Sequence, residues 1–433
     1  MRVRLHYGKS GLNINLPETW DVTVITKREM PVLSDPPSTL RYSLHNPVGS
    51  APLKELVTGK QTICIAICDI TRPVPNGVIV PALIEEIQRA GVHKDAITLL
   101  VATGLHKPCE GEELRDVVGN QEVLNTITIY NHYARNDDDH VFLGRTKQGI
   151  PVKIDRRFVT ADVRIVVGLV EPHFMAGYSG GRKLIAPGVA HEDTIRSIHA
   201  PCVLEMAGVD NCVVDGNPLH DILVEIAQMV GPCYAVNTVI DESRRISFIN
   251  FGEIIESHLK AVAYARPFTE IPVRTKFPVV LTSGAGYPLD KNYYQTVKGM
   301  VAPLAIVEHG GDLFIASECS EGIGSPDFYM SQKKLCEMGI AGFMDTIHEK
   351  RFADIDEWET EMLVKAMRVA RVSLYSTGIP LTERPLTGVR IIDNLHEALT
   401  DCMDRLHEKR IAVIPEGPYV VPVYTGESSL RGV

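Results

Sequence analysis

TICIAICDITRPVPNGVIVPALIEEIQRAGVHKDAITLLVATGLH, residues 62–106, is the stretch whose reading decides the fold. Its opening apolar run, Ile63 to Ile67, is far too short for a membrane span and has the length of a buried strand. Val80, Leu83, Ile84 and Ile87 then recur at the spacing of one helical face, with Gly91 as a stop. A second apolar run over 97–102 closes a strand–helix–strand unit, and a crossover of that length joins parallel strands.

Outward from this unit the same alternation continues. Strands are predicted over 62–68, 97–102, 163–170, 279–282, 304–307, 372–375 and 411–414, with helices near 219–229, 254–265, 293–300, 356–370 and 394–408. The class is α/β: two α/β domains with parallel-type sheets. The segment 266–278 (RPFTEIPVRTKFP) carries three prolines between a helix and a strand and is the natural boundary. It implies an α/β domain over 1–268 that binds any cofactor, and a second α/β domain over 275–400.

Composition narrows the function. Of 433 residues, 45% are hydrophobic, which excludes fibrous and disordered classes. Lys+Arg 44 against Asp+Glu 54 gives 44 − 54 = −10, which argues against a nucleic-acid or membrane partner. Nine scattered cysteines without a C-x-x-C predict neither a disulfide framework nor a zinc ribbon, and point to a reducing cytoplasm. The first residues lack the apolar run and cleavage site of a signal peptide.

In open α/β sheets ligands bind beyond the carboxyl ends of the strands. The sequences that follow four of the predicted strands are Asp69-Ile-Thr-Arg72-Pro73, Thr103-Gly-Leu-His106, Glu171-Pro-His173 and Ser283-Gly-Ala-Gly286. Each alone is readable as a capped turn or a structural histidine. Three of the four deliver a titratable or cationic side chain to one sheet edge, which predicts a functional cleft.

Two further strings carry chemistry. Gly177-Tyr178-Ser179-Gly180-Gly181-Arg182-Lys183 is composed either to cradle a phosphate or to form a basic surface turn. It matches neither a Walker A loop nor a Rossmann fingerprint. Its lysine could also hold a cofactor covalently. In Asp290-Lys-Asn-Tyr-Tyr294-Gln295-Thr-Val-Lys298, with Asp290 as the N-cap, Tyr294, Gln295 and Lys298 share one helical face that suits an anion. An ordinary solvated face is the competing reading. Asp193 reads as the N-cap of the helix leading to His199, and Trp358 as a core residue.

Taken in order, Asp69-x-x-Arg72-Pro, Thr103-Gly-Leu-His106, Glu171-Pro-His173, Gly177 to Lys183, Ser197-Ile-His199 and Tyr294-Gln295-x-x-Lys298 resemble the nickel-pincer lactate racemase family. The resemblance runs from about residue 60 to at least 300. It implies a 2-hydroxy-acid racemase or epimerase, with lactate as the default substrate and an active-site cleft between two α/β domains. It also implies that a C-terminal segment, here about 405–433, returns to the first domain. The cofactor it implies is a nickel-pincer nucleotide, pyridinium-3-thioamide-5-thiocarboxylic acid mononucleotide, made by separate cofactor-maturation enzymes. His199 would bind nickel and Lys183 would be the tether. Gly177, Tyr178, Ser179, Gly180, Gly181 and Arg182 would hold the cofactor phosphate, with Asp69 supporting the site. His106 and His173 would be the acid/base pair. Arg72 and Lys298 would hold the substrate carboxylate beside Tyr294 and Gln295. By this resemblance an electron-poor ring accepts hydride from C2 while a histidine takes the hydroxyl proton. Competing readings are a phosphate-ester-binding hydrolase or transferase, and a non-catalytic ligand-binding homologue. The chain lacks the clustered carboxylates of a two-metal hydrolase, and mere binding needs no pair of bases.

Overall fold

The computed structural model describes residues 1–426. Two compact units divide the chain: a first unit of residues 29–199 and 206–266, and a second of 1–28, 200–205 and 267 onward.

The first unit is built on a six-stranded sheet in the order Ile246–Glu253, Tyr234–Ile240, Val163–Leu169, Ile63–Cys68, Ile97–Ala102 and Thr128–Asn131. Only the first pair is antiparallel. Ile63–Cys68 is buried along its whole length, as a central parallel strand covered on both faces must be. Helix Asn76–Arg89 supplies part of that cover, burying Val80, Leu83, Ile84 and Ile87. From Ile63–Cys68 the chain steps one way to Ile97–Ala102 and Thr128–Asn131, and Val163–Leu169 then lies on the other side. The order reverses between those two central strands. That reversal leaves a crevice at their carboxyl ends.

The second unit holds a six-stranded parallel sheet in the order Arg390–Ile392, Ala370–Tyr375, Val307–Ala316, Phe277–Ser283, Arg410–Ile414 and Asp21–Val24. Val3, Leu5, Ile14 and Leu16 share one core with Val279, Leu281, Phe314 and Leu399. Each such fully buried side chain contributes roughly 1.5–3 kcal/mol. This corrects the domain limits drawn from sequence. Residues 1–28 do not belong with 29–266, because Asp21–Val24 pairs with Arg410–Ile414. Nor does the described part of 405–433, residues 405–426, return to the first unit, because Arg410–Ile414 sits between Phe277–Ser283 and Asp21–Val24; residues 427–433 lie outside the described residues.

Other departures have local causes. The strand predicted over 304–307 is a short 3₁₀ turn, Leu304–Ile306, and the strand proper is Val307–Ala316. Gly310, Gly311 and Asp312 hide it, since the register shifts between Phe277 and Val279, opposite that segment. The Asp312 carboxylate is held by Arg371 and Arg405. Helix Pro326–Ile347, capped by the Ser325 hydroxyl, breaks helical geometry at Gly339 and so shows no single apolar stripe. Among the described residues no helix is long and apolar enough to cross a membrane.

Buried imidazoles set the first unit's acid tolerance. Burial pushes down the proton affinity of His132, His140 and His258, and takes His220 to about 4. In the unfolded chain all return to about 6.5. The unfolded state therefore binds more protons below that pH, so stability is full above it and falls as pH drops. The urea midpoint is expected to fall between pH 7.5 and 5.5, and His220→Gln to flatten that fall. A midpoint constant down to pH 5 would show that folding leaves these proton affinities unchanged.

Candidate active site

Asp69 and Arg72 follow Ile63–Cys68, and Glu171 and His173 follow Val163–Leu169, so the switch-point crevice is flanked by both sets. Asp69 is buried and its carboxylate accepts from the Thr71 amide at 3.1 Å and the Thr71 hydroxyl at 2.6 Å. Its other oxygen lies 2.6 Å from Nδ1 of His106. Burial would raise the Asp69 carboxyl's proton affinity, but His106 and the Thr71 hydrogen bonds outweigh it and hold the group below its usual range. An ionised Asp69 can only accept, so Nδ1 of His106 carries the proton and its Nε2 keeps a lone pair.

His173 is bonded the other way. Its Nδ1 accepts from the amides of Met175 and Ala176, each at 3.2 Å, and its ring stacks on Phe174. The neutral ring must then carry its proton on Nε2. Arg72 forms an ion pair through Nη1 with Glu171.

The loop from Gly177 begins as a short strand, Gly177–Tyr178, paired with Pro172–His173. Gly177 has φ +73°, and a Cβ there would lie 2.1 Å from the Val213 carbonyl, so only glycine fits. Gly180 has φ +79°, with its Cβ position 2.8 Å from Val170 and 3.0 Å from the Leu169 carbonyl. Ser179 pins the loop to the sheet, its hydroxyl donating to the Leu169 carbonyl at 2.7 Å and its amide to the Glu171 carbonyl at 2.9 Å.

Here the structure corrects the sequence reading. Arg182, expected to face a cofactor phosphate, has no exposed surface. Its guanidinium donates to the carbonyls of Tyr178 at 3.1 Å and Ala176 at 2.9 Å, and lies 2.9 Å from Nε2 of His258. Burial pushes its proton affinity down to about 9. The Tyr178 side chain is also fully buried. Both hold the loop together from within. Lys183 keeps partial exposure and sits close enough to His199 to disfavour charge there.

His199 ends helix Glu192–Ile198 and donates from Nδ1 to the Ile195 carbonyl at 2.8 Å. Burial, with the Lys183 charge second, pushes its proton affinity down to about 4. The ring is therefore neutral at physiological pH, with its lone pair on Nε2, which is the form a metal requires. The cap of that helix is His191, not Asp193: His191 Nδ1 accepts from the Asp193 amide at 3.1 Å, and Asp193 pairs with Lys153. Among the described residues no three His, Cys, Asp or Glu side chains converge as a metal set. A metal on His199 would need its other donors from a bound group.

In the second unit, helix Tyr293–Val301 is capped by Asn292, whose side chain accepts from the Gln295 amide at 3.0 Å. Asp290, expected as the cap, is instead buried and accepts from the amides of Gly8 and Glu318. Lys298 donates to the Gln295 side chain, and the Tyr294 hydroxyl accepts from the Trp358 indole at 3.1 Å. Trp358 is buried, as its sequence reading had it. Glu359, which that reading passed over, is buried, and burial raises its carboxyl to about 8 against the pull of Lys298. Its signal was one glutamate among several acidic residues in Asp356-Glu357-Trp358-Glu359-Thr360-Glu361, too weak to stand alone.

These features define an α/β protein with two histidines in opposite tautomers on the loops beside one crevice, and a buried neutral imidazole with its lone pair on Nε2. The model of the lactate racemase N-terminal domain matches residues 7–209, and that of the lactate racemase C-terminal domain matches 273–422. The lactate racemase of Thermoanaerobacterium thermosaccharolyticum is 31% identical over 424 residues, covering 97% of this chain and 98% of its own length. That of Lactiplantibacillus plantarum is 31% identical over 395 residues, covering 88% and 90%. The structure of the T. thermosaccharolyticum lactate racemase apoprotein superposes with a TM-score of 0.90 at 29% identity, over 98% of this chain and 100% of that one. A Thermotoga maritima protein at 18% identity and TM-score 0.66, covering 86% and 95%, shares the fold. The chain belongs to the lactate racemase family and is an isomerase.

Arg182→Ala tests the corrected role. It would strand the Tyr178 and Ala176 carbonyls, each at a cost of roughly 1–3 kcal/mol. A large loss of thermal stability is expected, with phosphate affinity of the folded protein unchanged. Intact stability with lost phosphate binding would restore the sequence reading.

Proposed function

We propose that this chain inverts C2 of a 2-hydroxy acid, with lactate as its substrate. The observation that supports this most is the opposite hydrogen bonding of His106 and His173, on loops beside the switch-point crevice, together with Arg72 and a metal-ready His199. His199 would supply the protein's donor to nickel, Lys183 the tether to the pincer nucleotide, and Ser179, Gly180 and Gly181 the backbone near its phosphate. When bound, that group supplies a reversible acceptor for the hydrogen at C2 with its electron pair. Arg72 and Lys298 hold the substrate carboxylate, with Tyr294 and Gln295 beside Lys298. Separate maturation enzymes supply the cofactor. The nine free cysteines fit a cytoplasmic site of action.

The two histidines begin the reaction in different states. His106 presents a lone pair at Nε2 and can take the hydroxyl proton at once, since Asp69 stabilises the imidazolium that forms. His173 presents an N–H at Nε2, which can donate a hydrogen bond to the substrate oxygen. To serve as a base at Nε2 it must move its proton to Nδ1 and give up two amide bonds. Reaction from one enantiomer therefore starts from the resting arrangement, and reaction from the other starts from a costlier one.

Enantiomers have equal free energies in solution, so kcat/KM must be the same from either side. The asymmetry is expected instead as unequal kcat values matched by KM values unequal in the same ratio. Progress curves from each pure enantiomer measure this, and equal kcat values would show that His173 does not rest in the Nε2–H form.

Protein made without the maturation enzymes is expected to be folded and inactive, and matured protein to carry nickel and added mass on the Lys183 fragment. His199→Ala should lose nickel, whereas His106→Ala should keep it and lose about 10²–10⁴-fold in kcat. A C2 hydrogen that never reaches a histidine cannot exchange with water, so C2-deuterated lactate is expected to racemise with its label retained. Full turnover without nickel would end this reading.

A further inference from the structure

The carboxylate of Glu171 accounts for nothing in the reaction as derived so far, yet it touches one of the two cations proposed to hold the substrate. It pairs with Nη1 of Arg72 where both side chains are largely shielded, at 15% and 25% exposure. Its backbone is fixed independently. The Glu171 amide donates to the Ser179 hydroxyl at 3.1 Å, and its carbonyl accepts from the Ser179 amide at 2.9 Å. Ser179 lies in the glycine loop and is itself pinned to Leu169. A rigid link thus runs from the sheet end, through the loop, to the Arg72 guanidinium.

We propose that Glu171 is the positioning residue and resident counter-ion of Arg72, resting on the reading that Arg72 binds the substrate carboxylate. Two consequences follow from charge and geometry. An acceptor on Nη1 restrains the guanidinium, so that it meets a second carboxylate in a set orientation. The resident negative charge also weakens the attraction for that second carboxylate, so binding is looser and orientation better than a bare arginine would give. Glu171 therefore exchanges affinity for alignment.

The substitution Glu171→Gln separates this role from simple scaffolding, because glutamine keeps an acceptor for Nη1 and removes the charge. Calorimetric titration of L-lactate into Glu171→Gln, as purified and after maturation, is expected to show binding about five- to tenfold tighter than the native protein, in line with a partly screened charge pair. A scaffolding residue would give weaker binding on damage, never tighter. In matured enzyme Glu171→Ala is expected to lower kcat at least tenfold at saturating lactate, with Glu171→Asp recovering part of it. In the Arg72→Ala background Glu171→Gln is expected to change lactate affinity no further. Unchanged or weaker binding in Glu171→Gln, or equal tightening with and without Arg72, would overturn the counter-ion role. Native affinity in Arg72→Ala alone would instead overturn the carboxylate assignment of Arg72 on which the role rests.

Discussion

Everything proposed for the first unit depends on the reversal of strand order between Ile63–Cys68 and Val163–Leu169. Parallel strands end on one side of a sheet, so their loops are delivered there together. Where the order reverses, the two loops leave in opposite directions and a crevice opens between them. Asp69 and Arg72 come from one side of it, and Glu171 and His173 from the other. The ion pair of Arg72 with Glu171 joins the two. The glycine loop is then fastened to the same strand end by Ser179.

Burial decides the protonation states that make this arrangement chemical. Desolvation keeps His199 neutral, and its bond to the Ile195 carbonyl chooses which nitrogen holds the lone pair. Asp69 resists the same effect because a hydroxyl, an amide and an imidazole all bond to its ionised form. The contrast between His106 and His173 has the same origin. One ring faces an acceptor and the other faces two donors, so identical side chains rest in different tautomers.

Buried charge elsewhere shapes the frame. Arg182 is held by two carbonyls and His258, which makes it the interior brace of the loop. In the second unit, Asp312 gathers Arg371 and Arg405 midway along a strand that its glycines would otherwise weaken. Glu359 is kept largely protonated by burial next to the helix that carries Lys298. Each is a polar group whose meaning depends on what surrounds it.

The central strands Ile63–Cys68, Ile97–Ala102 and Val163–Leu169, and the residues that follow them, were legible in the sequence because buried parallel strands are continuous apolar runs, whereas Thr128–Asn131, Tyr234–Ile240 and Ile246–Glu253, which carry polar residues, were not read as strands. The helix faces were legible too, since their period is local. The adjacent position of Asp21–Val24 and Arg410–Ile414 was not, because pairing across nearly the whole chain leaves no local mark. The strand Val307–Ala316 was masked by two glycines and an aspartate whose partners lie on other elements. The inward course of Arg182 was illegible for the same reason: its partners are His258, 76 positions later, and two carbonyls of a folded loop. Sequence determined which side chains reach the sheet edge, since chain order and strand direction fix that. Only the tertiary structure decided which of them turn into the core, as Arg182 does, and which nitrogen of each histidine keeps its lone pair, because hydrogen-bond partners come from segments distant in the chain.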